Sequence, residues 1–127
     1  MFRNKIIITI PGLPPMANGS HGNPFAKNRE RQKWQRTAIL LLKSHAPKKP
    51  YDRIKVIFTR FSSNEPDYDG LVHGFKPIVD AFKKTGFIKD DKMRHLESIY
   101  LYDKAPPKKG YIQLEIELPE HQSDMTL

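Results

Sequence analysis

The chain has 127 residues, 38% of them hydrophobic, enough for a single domain with a real core. Lys and Arg outnumber Asp and Glu by 22 to 14, and the formal net charge of +8 points to polyanionic partners, nucleic acid first and an anionic membrane second. Cysteine is absent, which excludes disulfides and thiolate metal sites and fits a cytoplasmic protein, and no apolar run nears the ~18 residues of a membrane-crossing helix.

The start, MFRNKIIITI, has a basic residue before an apolar run, but the run is short, β-branched and closed by Pro11 and Gly12. It therefore reads as a buried strand over 5–10 rather than a leader peptide. PGLPPMANGSHGNPF (11–25) is too rich in Pro, Gly and Asn for regular structure and reads as a loop; its NGSHGN segment has backbone amides that suit either a phosphate or ordinary turns. From Lys27 to His45, Trp34, Ala38, Leu41, Leu42 and His45 recur at three- and four-residue spacing, the signature of an amphipathic helix. Trp34 and His45 are read as packing residues on its apolar face, and the other faces are strongly cationic.

DRIKVIFTRF (52–61) alternates as a strand with Ile54, Val56 and Phe58 on one side. A second helix is expected from Leu71 to Lys84, with Leu71, Phe75, Ile78, Val79 and Phe82 inward, a kink at Pro77 or a start near Gly74, and Gly86 as its stop. FIKDD reads as a turn, HLESIYLYD and YIQLEIEL as strands, and KAPPKKG between them as a hairpin loop. The expected fold is α+β: one sheet of about four strands covered by two helices, in the order β-α-β-α-β-β. Residues 1–120 form the single expected domain and 121–127 a frayed tail.

The chemistry concentrates at EPDYD (65–69), where Glu65, Asp67 and Asp69 alternate in an otherwise basic chain. On an extended backbone Asp67 and Asp69 project the same way, as ligands for a hard divalent cation do. Asp90 and Asp91 follow the second helix, and a helix of about fourteen residues, roughly 20 Å long, can return them toward the first pair. Three or four carboxylates would then surround a metal; the plain alternative is that NEPDYDG and KDDK are polar turns. The five histidines show no zinc-ligand spacing, and there is no P-loop, dinucleotide fingerprint or nucleophile elbow.

PDYDGLVHGFKPIVDAFKKTGFIKDD (66–91) resembles the RusA family of Holliday junction resolvases: an acidic D-x-D, a helix carrying Lys76 and DAFKKTG, then Phe87 and Ile88 before the double acid. The order of the flanking elements, including LPPMAN, is also similar. The resemblance implies a small α+β homodimer that cuts four-way DNA junctions in recombination and repair. It implies Mg2+, with Mn2+ as a substitute, and no small-molecule cofactor. By position, Asp67, Asp69 and Asp91 are the implied catalytic metal ligands, Asp90 a further ligand and Lys76 a basic catalytic residue. Two departures stand out: Gly70 follows the second acid where many relatives carry Asn, and Asp69 and Lys76 are spaced more widely than in the best-known members. Asn18, Lys27, Arg29, Arg31, Lys33 and Arg36 are the expected contacts to DNA. A non-catalytic protein that binds branched DNA is the alternative reading, motivated by the charge and by Gly70.

Overall fold

In the computed structural model, which describes residues 2–16 and 24–119, six elements follow in the order β-α-β-α-β-β. They are β1 (Phe2–Pro11), α1 (Pro24–Lys43), β2 (Ile54–Ser62), α2 (Tyr68–Lys84), β3 (Leu96–Lys104) and β4 (Tyr111–Pro119). The NGSHGN loop with Asn18, and the tail after Pro119, lie outside the described residues.

The four strands make one sheet in the order β1-β4-β2-β3. β4 pairs antiparallel with both β1 and β2, while β3 pairs parallel with β2. The first three strands in the chain therefore run the same way, joined by two helical crossovers that step in the same direction across the sheet. Right-handed crossovers of that kind put both helices on one face. The KAPPKKG segment is accordingly not a hairpin. It carries the chain from β3 past β2 into the slot beside β1, because β2 already holds the position next to β3.

Side chains alternate across the pleat, so each strand sends every second residue under the helices. Ile54, Val56 and Phe58 of β2 and Ile112, Leu114 and Ile116 of β4 are completely buried. Phe58 is the hub, with ring centroids 5.1 Å from Phe75, 6.3 Å from Phe82 and 5.1 Å from Tyr100. From α1 the core takes Trp34, Ala38 and Leu42, a strict four-residue stripe. Leu41 and His45, expected on the same face, are exposed. Leu41 falls off the stripe, and His45 lies past the last helical residue, Lys43.

The second helix begins earlier than its apolar pattern indicates. It runs unbroken through Pro77 from Tyr68, and Asp67 caps it by accepting the Gly70 N–H at 3.0 Å. It ends at Lys84, and Gly86, just past the Thr85 cap, adopts φ +80°, a conformation that glycine reaches without penalty. There the Gly86 N–H bonds the Lys83 carbonyl and the Phe87 N–H bonds that of Phe82, both at 3.1 Å, so carbonyls of the last turn are satisfied. The second glycine with a steric reason is Gly110, where a Cβ would come within 2.6 Å of Leu13 Cδ1.

Candidate functional site

Because α2 starts at Tyr68, Asp67 and Asp69 do not share one side of an extended segment. Asp67 is the N-cap and Asp69 sits in the first turn. Both are exposed, and carboxylates there interact favourably with the positive end of the helix. Lys76 lies seven residues beyond Asp69, which on a helix is about 700°, close to two full turns. It thus shares the Asp69 face, roughly 10 Å further along the axis. The wide spacing in sequence preserves the face.

Lys76 joins α2 to the acidic turn that precedes β3. Its Nζ is 3.2 Å from Asp80, one helical turn on, and 3.3 Å from Asp91 Oδ2. Burial alone would lower the Lys76 ammonium; hydrogen bonds and charge from Asp80 and then Asp91 outweigh it and raise the pKa. Burial likewise pushes the Asp91 carboxyl up, but bonds from Lys76 and Asp90 and the Lys76 charge hold it below the ordinary value. Asp90 folds back to accept the Asp91 N–H at 2.8 Å, and Lys83 stands 4.0 Å from it. Tyr68 and Tyr100 meet edge to face with centroids 6.4 Å apart, and burial raises the Tyr100 phenol.

Of the residues expected to contact DNA, Arg29, Lys33 and Arg36 are exposed on the outer side of α1, and Lys27 is half-buried. Arg31 instead turns inward. Its guanidinium donates to the Pro15 carbonyl at 3.3 Å and the His73 carbonyl at 3.0 Å, tying α1 to α2 and to the loop after β1. Beside it a cleft of about 160 Å³ between the helices is lined by residues including Asn28, Gln35, Lys76 and Asp80. Sequence reasoning missed Arg60, only 9% exposed, which donates to the Pro14 carbonyl at 3.1 Å from the core face of β2. Its position among the inward-facing residues of an alternating strand was the available signal. Burial lowers its pKa.

The contact with Asp91 ties Lys76 to the second acidic pair, while Asp69 of the first pair lies roughly 10 Å along the helix from Lys76. Among the described residues, no three His, Asp or Glu side chains gather in a way that could hold a metal ion. Asp67 is engaged as a cap and Asp91 as an ion-pair partner. What the arrangement offers is a lysine held between two carboxylates, in a cleft it shares with Asn28, Arg31 and Gln35 of α1. The lysine's charge is already matched by its two carboxylate partners. Among the described residues no helix is long and apolar enough to cross a membrane. No family model matches the chain, and no curated protein matches it.

Proposed function

We propose that the protein is an endonuclease of the RusA type that hydrolyses phosphodiester bonds at four-way DNA junctions, acting as a homodimer in recombination and repair with Mg2+ as its cofactor. The observation that supports this best is the 3.3 Å contact between Lys76 and Asp91. Fifteen residues apart in the chain, they are the lysine and the second acid of the motif that resembles the resolvases, and they lie side by side. Asp69 shares the Lys76 face of α2, roughly 10 Å along the helix. In this reading Lys76 offsets charge on a non-bridging oxygen, and Arg29, Lys33 and Arg36 hold the neighbouring phosphates. In the same reading Asp67, Asp69 and Asp91 would hold the Mg2+, which would polarise the phosphate and lower the pKa of a bound water.

The test is incubation of the protein with a synthetic four-way junction and Mg2+, beside the Asp69→Asn and Lys76→Ala variants. Paired nicks by the parent chain, reduced at least about a hundredfold in each variant, are the expected result. Equal nicking by parent and Asp69→Asn overturns the assignment. A second reading, a non-catalytic protein that binds branched DNA, is favoured by one observation: among the described residues the acids form no three-ligand group. It predicts salt-sensitive binding of the junction with no cleavage under Mg2+ or Mn2+.

A further inference from the structure

The surface of α1 divides into three stripes. Asn28, Arg31 and Gln35 face α2 and line the cleft that holds Lys76. Arg29, Lys33 and Arg36, at four- and three-residue intervals, form the exposed outer ridge, along a groove of about 600 Å³ that Glu30 also lines. Glu30, Lys33, Trp34 and Thr37 recur at the spacing of a third face and turn toward the end of β1. Between that face and residues 10–13 lies a second cleft of about 310 Å³, within the range of small-ligand sites. Its walls are apolar, from Ile10, Pro11, Leu13 and Trp34, and it carries one carboxylate, one ammonium and one hydroxyl, from Glu30, Lys33 and Thr37. Gly12 keeps it open: a Cβ there would occupy the space beside the Trp34 indole, 3.5 Å from Cζ2. Among the described residues Glu30 enters no ion pair. Glu30 and Lys33 line both spaces, so the apolar cleft opens onto the basic groove.

We infer that this cleft takes an unstacked nucleobase of the DNA strand whose phosphates lie on the α1 ridge. The inference rests on the reading of the protein as a binder of branched DNA and names where one base of that DNA goes. The chemistry of the cleft selects the class of ligand. The Glu30 carboxylate keeps a bare phosphate out, and an acyl chain would displace water from Glu30 and Thr37 without replacing its hydrogen bonds. A basic peptide is repelled by the ridge. A nucleobase satisfies every group. Its ring packs against Pro11, Leu13 and the 9% of Trp34 that stays exposed, its N–H groups donate to Glu30, and its phosphate remains at the rim with Lys33. Adenine, cytosine and guanine offer an exocyclic amine to a carboxylate, whereas thymine presents a carbonyl on either side of its N3–H and is repelled. Bases that are already unpaired cost least to unstack, and a branch point supplies them. The ridge is one helix diameter across, about 10 Å, so a single strand crossing α1 reaches from the cleft beside Lys76 to this one.

Trp34 is the only tryptophan in the chain, so its fluorescence reports on this cleft. The probe is a dye-labelled abasic octanucleotide, either bare or carrying one adenine or one thymine, titrated into the full chain without divalent metal. Dye anisotropy gives the occupancy. At equal occupancy the adenine strand should quench Trp34 emission and the bare strand should leave it unchanged. The adenine strand should also bind about tenfold more tightly than the thymine strand, and Glu30→Gln should remove most of that preference. Thr37→Phe, which fills the cleft from a half-buried helical position, should abolish the quenching with circular dichroism unchanged. Binding of the adenine strand without quenching overturns the inference and leaves the DNA reading standing. Equal quenching by the bare strand overturns it too, as does a preference for adenine that Glu30→Gln leaves intact. Failure of every strand to bind at low salt overturns the DNA reading and this inference together.

Discussion

Lys76 pairs with Asp80 through helix geometry and with Asp91 through the tertiary fold, and only the second pair depends on the turn after α2. The Asp91 carboxyl sits below its ordinary value of 3.8, so folding favours its charged form. Its contribution is therefore fully present above about pH 4 and is lost as the pH falls through the lowered value. The side chains are 54% and 30% exposed for Lys76 and Asp91, so the pair contributes up to about 1 kcal/mol. Denaturant titrations should show Asp91→Asn less stable than the parent by up to that amount at neutral pH. The gap should close as the pH drops below the ordinary carboxylate range. A gap that persists undiminished at about pH 2 would show that the pair does not stabilise the fold through charge.

The start of α2 separates a structural role from a chemical one. Asp67 caps the helix through the Gly70 N–H, and asparagine caps about as well as aspartate. Asp67→Ala should cost about 1 kcal/mol in denaturant unfolding, while Asp67→Asn should keep stability within a few tenths. If Asp67 also serves catalysis, junction cleavage falls in both variants; a cap alone loses nothing in Asp67→Asn. The apolar face of α2 was legible from the three- and four-residue spacing of Leu71, Phe75, Ile78, Val79 and Phe82, all of them buried. Its first turn was not, because Tyr68, Asp69 and Gly70 carry no apolar period, and a Pro before Asp67 reads equally as a turn. Pairing of β4 was hidden for another reason. A short loop between two strands looks the same whether they end up adjacent or on either side of a third. The proximity of Asp91 to Lys76 depends on the path of a turn, which no local spacing encodes, whereas the pair with Asp80 could be read from the four-residue interval alone.

At the scale of the whole molecule, charge is divided by face. The helices' side carries Arg29, Lys33 and Arg36, exposed along α1, while on the sheet Lys5, Lys55 and Arg53 are ion-paired with Glu115, Glu117 and Glu97. Binding of branched DNA should then fall linearly in log affinity with log salt. Replacing Arg29, Lys33 and Arg36 together with Gln should flatten that slope by about 0.9 for each phosphate that is no longer neutralised. Arg31→Gln should disturb stability instead, since its guanidinium is bonded to the carbonyls of Pro15 and His73. An unchanged slope in the triple variant would move the DNA-binding face away from α1.

The position of β4 has a consequence for how the protein is made. The strand that comes last of the four is a central one, hydrogen-bonded on both sides, and it is the neighbour that β1 and β2 share. While a ribosome is still translating residues 111–119, β1 has no strand to pair with, and only the parallel pair of β2 and β3 can form. The isoleucine-rich first strand must wait, unpaired, until β4 has been added. Nascent chains of this protein are therefore candidates for chaperone binding at β1, and a chain cut short before Tyr111 leaves that strand without a place in the sheet.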